Sequence, residues 1–199
     1  NEVEAILGDS TIVNAGTLSV SAVSTDNMSA QSNALAVGGI TVPGAYSTVY
    51  SDLAALAQIG DNTEITVSGF VLQSRHVQIV QSHADALSIG LATGNGSDVD
   101  NYILSKANVV VGENNTVTAN TILIDATNIA QTFSSFKSFS ADALSVKVLV
   151  SSTDIGTGSD HSIDDYKNNP FEALVSIGSG TTMTVEGSHA NPGVIDIAA

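Results

Sequence analysis

Short runs of β-branched and other apolar residues, separated by Gly, Asn, Asp and Ser, make up most of the chain. The apolar runs at 77–80, 108–111 and 146–150 are typical of strands, and turn-forming residues lie between such runs. The stretch at 51–57 is rich in Ala and Leu, which favours a helix. Its counterpart, residues 103–110, has the pattern of a strand, so we predict a strand at 51–57 as well. The hydrophobic pattern therefore predicts an all-β chain.

A short motif recurs along the chain and indicates a repeat. It consists of an apolar residue, Gly, one or more polar or small residues and then Thr, and it occurs at 7–11, 59–63, 111–116 and 177–181. A second motif with a central Ala-Leu pair occurs at 33–37, 85–89 and 142–146. Tyr50 and Tyr102 are separated by the same interval as the first copies of the Gly-containing motif. Self-similarity at a period of ~52 residues is typical of stacked repeat proteins, whose units bury a shared core.

We therefore predict a single all-β body over residues 1–199, a parallel β-helix or β-solenoid. Its repeats cover approximately residues 7–58, 59–110, 111–176 and, in part, 177–199. Since a strand rises ~3.3 Å per residue, ~26 residues supply three short strands and three turns. This length predicts about two coils in each repeat. Three shorter coils per repeat are the alternative.

The third repeat is longer than the first two, since its motif begins at residue 111 and the next copy begins only at residue 177. Most of the excess falls at residues 151–170, whose polar and turn-forming composition predicts an inserted loop at one corner of a coil. Loops on a regular scaffold are preferred places for binding, so this loop could contact a glycan or a receptor. A tolerated insertion without a role is the alternative, because surface loops lengthen at little cost in free energy.

The charge of the chain excludes some partners. Five basic and twenty acidic residues give a net charge of −15, which repels nucleic acid and anionic lipid. No apolar stretch approaches the ~20 residues of a membrane-spanning helix, so we expect no membrane insertion. The absence of Cys excludes a disulfide framework but does not exclude secretion. The chain begins with Asn1 and shows no signal peptide, so we expect a mature product or a fragment.

Two acidic segments are candidates for a metal site. Residues 95–100 place oxygen-bearing side chains at alternating positions of a Gly-containing segment that we predict to be a turn, which suits calcium. Further carboxylates crowd the predicted loop. The candidate ligands are Asn95, Asp98, Asp100, Asp160, Asp164 and Asp165. Neither segment is an EF-hand or a β-roll nonapeptide, and solvated acidic turns are the commoner explanation of such sequences. We expect no other cofactor.

The sequence offers little catalytic chemistry. His76 and His83 are seven residues apart, so on one strand they would point to opposite faces, and for each a solvated side chain is the commoner state. A polysaccharide-cleaving β-helix needs converging carboxylates and usually aromatic platforms for sugar rings. The chain has no Trp, and Arg75 is its only arginine. We therefore expect no enzymatic activity, and a glycan-cleaving enzyme is the remote alternative.

The repeat motif, an aliphatic residue followed by Gly, Asp, any residue and Thr, is continued by a run of Val, Thr and Ser with a central Gly. This sequence resembles the β-strand repeats of large bacterial surface exoproteins, including the filamentous-haemagglutinin-like and autotransporter-like adhesins. The resemblance implies a right-handed parallel β-helix that lies outside the cell, at the bacterial surface, and acts in adhesion, biofilm formation or aggregation.

These observations predict a structural segment of an extracellular fibre or surface adhesin that assembles end to end. Its partners would be copies of itself or flanking repeats of a longer chain. The fourth repeat stops just after Val194, Ile195 and Ile197, so these residues are the predicted assembly interface. A carbohydrate- or receptor-binding module that uses the 151–170 loop is the alternative.

Overall fold

The computed structural model describes residues 2–155, 171–187 and 193–199. Regular structure in these residues is entirely β, so the prediction of an all-β chain is confirmed, and residues 51–57 lie in a strand as expected. The part of the chain described contains no helix long and apolar enough to cross a membrane. The strands in these ranges are β1 (Glu2–Leu7), β2 (Ile12–Val37), β3 (Ile40–Thr41), β4 (Gly44–Ile59), β5 (Glu64–Ile89), β6 (Ala92–Val111), β7 (Thr116–Ala119), β8 (Thr121–Ala141), β9 (Leu144–Ile155), β10 (Glu172–Ile177), β11 (Thr182–Val185) and β12 (Val194–Ala198).

The strands form two sheets in which the described pairs are parallel. Sheet A runs β1, β4, β6, β10, with β3 and β9 also paired to β6. Sheet B begins with β2 and β5, continues with β7 and β8, and ends with β11 and β12. Strand order follows chain order in both sheets. The chain therefore alternates between the sheets and adds one layer to each as it proceeds.

The register shows that one repeat supplies one layer. Ile12 pairs with Glu64, Gly44 with Gly96 and Gly69 with Thr121, and these partners are one full repeat apart in each case. Two coils per repeat would have paired residues about 26 apart, so that prediction is wrong. The strands continue through Ser, Asn and Gly residues that the sequence pattern suggested as turns. β5 is 26 residues long. Pairing with a neighbour on each side holds these weak strand formers extended.

The recurrent Gly-containing motif forms the turn from sheet A to sheet B. One residue of this turn has a left-handed backbone in each repeat, with φ of 54° at Ser10, 55° at Asn62 and Asn114, and 72° at Gly180. Adjacent turns are hydrogen-bonded to one another through side chains. Asp9 Oδ1 accepts a hydrogen bond from the Asp61 amide at 2.9 Å, and Asp61 Oδ1 accepts one from the Glu113 amide at 2.7 Å.

The glycine of the motif is required because neighbouring turns approach each other closely. A Cβ atom at Gly112 would lie 2.2 Å from Asp61 Oδ1 and 2.7 Å from the Gly60 carbonyl carbon. A Cβ atom at Gly60 would lie 2.1 Å from Asp9 Oδ1. Such distances are far below van der Waals contact. The glycines at these positions therefore allow one turn to lie on the next.

The core lies between the two sheets. In β6 the inward residues are buried at every second position from Thr93 to Val111. Three apolar clusters follow one another across the width of the body, and polar residues are buried between them. The first lies near the stacked turns and includes Phe70, Leu72 and Ile124; the second contains Val49, Val80 and Ile103; the third contains Ala45, Ala84, Ala86 and Val99.

The offset between paired residues changes in the last layer. Ile103 pairs with Ile155, and their separation in sequence is the same as that of paired residues in the earlier layers. Lys106 pairs with Glu172, and this separation in sequence is larger. The additional residues of the third repeat therefore fall between Ile155 and Glu172. Residues 151–155 of the predicted loop belong to β9, and residues 156–170 lie outside the described ranges.

The second sequence motif aligns in only two of its three copies. Asn33 pairs with Asp85 as expected, but Asp85 pairs with Lys137 and not with Asp142. The predicted equivalence of 142–146 is therefore wrong, because these residues lead from sheet B into β9. Residues 142–146 resemble 85–89 only in amino-acid type. The hydrogen bonds to the preceding layer, which fix the register, pair them differently.

The body is wide along the strand direction and shallow along the stack. The 20 residues of β6 span about 66 Å at ~3.3 Å per residue. Four successive strands of sheet A, ~4.8 Å apart, extend only about 14 Å. The two ends of the stack therefore form a large part of the surface.

We predict that Gly112→Ala destabilises the protein by about 1–3 kcal/mol, because its Cβ would overlap the Gly60–Asp61 turn. Gly96→Ala is the matched control, since a Cβ atom there meets no heavy atom within 4 Å. Urea unfolding followed by circular dichroism gives both free energies of unfolding. Equal values for the two variants would show that the turns do not depend on this contact.

Deletion of residues 157–170 should leave the stack folded. Gly156 and Phe171 would then be the register equivalents of Leu104 and Ser105 in the next layer. The sequence separation between paired residues would be the same as in the earlier layers. We expect an unchanged β-sheet spectrum and a free energy of unfolding within about 1 kcal/mol of the parent value. A cooperative loss of β-structure would show that the removed segment belongs to the core.

Candidate functional site

The three predicted calcium ligands that the structure describes, Asn95, Asp98 and Asp100, lie on opposite faces of one strand. Residues 95–100 lie within β6 and not in a turn, so that part of the prediction is wrong. Asn95 faces the interior, where it is 3% exposed and its Nδ2 donates to the Phe139 carbonyl oxygen at 2.9 Å. Asp98 and Asp100 are an odd number of residues from Asn95 along the strand, so their side chains face outward. Asp160, Asp164 and Asp165 lie outside the described residues.

The outer face around Asp98 and Asp100 carries acidic and aromatic side chains. Burial raises the pKa of the Asp98 carboxyl above its ordinary value, and the negative charge of Asp100 raises it further. Tyr46 Oη donates to Asp100 Oδ2 at 2.9 Å, and the Tyr50 and Tyr102 rings stack with centroids 4.9 Å apart. Within the ranges the structure describes, no three His, Asp or Glu side chains form a group that could hold a metal ion.

A hydrogen-bonded trio lies on the outer face of sheet B. His83 Nδ1 is 2.6 Å from Ser135 Oγ, and His83 Nε2 is 2.8 Å from Asp85 Oδ2. His83 and Ser135 are register partners in adjacent layers, and Asp85 follows two residues after His83 on the same face. His83 and Ser135 border an open groove of about 770 Å³, which is also lined by Gln31, Gln81 and Phe133.

The trio has the order of groups that activates a serine nucleophile, a hydroxyl followed by an imidazole and a carboxylate. Ser135 is exposed, however, and the groove is open to water. Catalysis of acyl transfer depends mainly on fixed donors in a site from which water is excluded. We therefore interpret the His83–Ser135 hydrogen bond as a link that joins β5 to β8 across the layers, with Asp85 of β5 orienting the imidazole ring.

The predicted assembly residues lie on an edge strand. Val194, Ile195 and Ile197 are 52%, 48% and 47% exposed. They belong to β12, which pairs with β8 on one side and with no other strand of the described ranges. Ile195 and Ile197 lie in register with the buried Ile122 and Ile124 of the preceding layer. Their side chains therefore continue the apolar core to the end of the stack.

One buried ionisable group was not predicted from the sequence. His76 was expected to be solvated, but it lies between the sheets with no exposed surface. Its position between Ser24 and Asn128 follows from the register of the repeat, and its Nδ1 is 4.0 Å from Asp26 Oδ2. Burial lowers the pKa of His76, and Asp26 and Gln78 oppose this effect only in part. The alternation of inward and outward residues along β5 was the signal that could have placed it.

We predict that acid destabilises the fold through His76. Its pKa is below the ordinary 6.5 in the folded state, so the unfolded chain takes up the proton first as the pH falls. The free energy of unfolding should therefore decrease below pH 6.5, until the folded protein also binds the proton. The Asp26 carboxylate, 4.0 Å from the ring, raises the pKa of His76 in the folded state and so limits the decrease.

Urea unfolding between pH 8 and pH 5 tests this expectation, with about ten measurements at constant ionic strength to hold screening fixed. His76→Gln should flatten the pH dependence, because the substitution removes the titrating group. His83→Gln is the matched control on the outer face of the same strand. A parent protein whose stability is constant over this range would contradict the prediction.

Comparisons of the chain with protein-family models, with curated proteins and with solved structures gave no match.

Proposed function

We propose that the chain is a structural segment of an extracellular fibre or surface adhesin, built as a parallel β-solenoid. The observation that carries the proposal is the constant parallel register of the long strands, in which each residue is paired with its equivalent in the next repeat. Such a body grows by adding layers. Its shape is set by stacking and does not depend on a bound ligand.

The ends of the stack support a role in assembly. The first strands, β1 and β2, and the last strands, β11 and β12, are each paired on one side only within the described residues. Strands of this kind present free backbone donors and acceptors, and proteins usually protect them with charge, proline or a bulge. β2 is 26 residues long, contains no proline and has Asp26 as its one charged residue. The edge is therefore open to another layer.

The apolar side chains at the ends favour the same conclusion. Ile195 and Ile197 at one end, and Leu18 and Val20 at the other, continue the core of the layers beneath them. A further layer on either side would bury these side chains and pair the free edge. That layer could belong to the same longer chain or to another copy. A contact between opposite ends does not close on itself, so copies would form a filament.

The proposal predicts that assembly depends on the β12 end. Ile195→Lys with Ile197→Lys should abolish growth, because two charges would be buried between layers without partners. Val71→Lys with Leu123→Lys is the matched control, since these residues lie on the outer face of inner layers. Sedimentation velocity over a concentration series, followed by negative-stain microscopy, measures the length of the assemblies.

The parent chain and the control should lengthen with concentration, whereas the β12 variant should not. A parent chain that remains monomeric at every concentration would exclude assembly through these ends. Circular dichroism of each variant shows whether the inner layers remain folded.

A further inference from the structure

We propose that a second copy of this chain docks side by side on the rim of the body. The rim comprises residues 34–45, 86–97 and 138–149, which form the turns from sheet B to sheet A and the strand segments on both sides of them. It lies at the opposite side of the layers from the Gly-containing turns. A contact here joins bodies laterally and leaves the ends of the stack accessible.

The first support is the exposure of large apolar side chains along the rim. Ile40, Val42 and Leu91 are 83%, 78% and 75% exposed, and Leu35, Val37 and Leu144 are also largely exposed. Single exposed apolar residues are common on protein surfaces, but contiguous patches mark interaction sites. The patch is contiguous because Ile40 and Leu144 flank Ala92 in register, and Val42 lies against Gly94.

The second support is an apolar groove on the flank of the rim. Its volume is about 610 Å³, and its walls include Leu35, Leu87, Ile89 and Phe139. Phe139 is 61% exposed, although it lies beside these apolar neighbours. A groove next to projecting side chains is the shape that a self-complementary contact requires, because each copy supplies both parts.

The charge distribution favours a second copy of the chain as the partner that binds at the rim. The protein has a net charge of −15, so two copies repel each other over most of their surface. The rim segments contain one acidic residue, Asp142, and one basic residue, Lys147, and therefore have no net charge. Repulsion between two copies is thus weakest where their rims meet. The absence of a basic surface at the rim also disfavours nucleic acid and anionic lipid as occupants.

Single cysteines test the contact, because the chain contains none of its own. Val42→Cys should give a disulfide-linked dimer under mild oxidation. Val23→Cys, which places a thiol at another exposed apolar position outside the rim, should not. Both are made in the Ile195→Lys, Ile197→Lys background, which blocks contact through the β12 end. Val23 lies on β2 at the other end of the stack, so contact through that end would link the control variant as well. Equal dimer yields from the two cysteines would indicate random collision and overturn the proposal.

Sedimentation equilibrium of the same background, without cysteines, gives the dissociation constant of the lateral dimer. Ile40→Lys with Leu144→Lys should raise it at least tenfold, whereas Val71→Lys with Leu123→Lys should leave it unchanged. A background protein that is monomeric at all concentrations overturns the proposal. If the protein is monomeric in solution and floats with neutral phosphatidylcholine vesicles, the rim binds a lipid surface and not a second copy.

Discussion

The hydrogen bonds between equivalent residues of adjacent repeats are the interaction on which the rest of the structure depends. They fix the offset between layers and place Gly60 beneath Gly112 and Asp61 beside Glu113. They also bring inward residues of successive repeats over one another, so that the apolar clusters become continuous through the layers. A shift by one residue would reverse the face of each side chain in a strand. The close contact of the stacked turns excludes such a shift.

The sequence predicted those features that a local pattern determines. The Gly-containing motif revealed the period because the turn it forms is needed in every layer, and Tyr50 and Tyr102 do stack as equivalent residues. The strand at 51–57 was predicted by comparison with the next repeat, against the helical preference of Ala and Leu. In each case the sequence records a contact with an equivalent residue one repeat away.

Features that depend on long-range pairing were not predictable in this way. The number of coils was overestimated because Ser and Gly within β5 look like turn signals, yet they remain extended when paired on both sides. The Gly-containing segment at 95–100 looks like a turn for the same reason, although it lies within β6. Whether Asn95 faces inward while Asp98 faces outward depends on where the strand begins, which a composition-based interpretation does not fix.

The body presents three kinds of surface that differ in chemistry. The outer faces of the sheets carry polar rows such as His83 with Ser135, which join the layers. The ends of the stack carry backbone donors and acceptors beside apolar side chains, and the rim carries apolar side chains without net charge. Each kind of surface arises from the same repeat. A column of the surface therefore consists of equivalent residues from successive repeats.

The width of the layers has a mechanical consequence. A force along the stacking direction acts parallel to the hydrogen bonds that join β5 to β8 and β4 to β6, whose registers cover long stretches of each strand. These bonds carry the load together, since the layers are rigidly paired along their length. The sheets are thus arranged to resist tension along the direction in which layers are added. In the opposite geometry, with force applied at one edge of a layer, the same bonds would be loaded in succession and would separate at a much lower force.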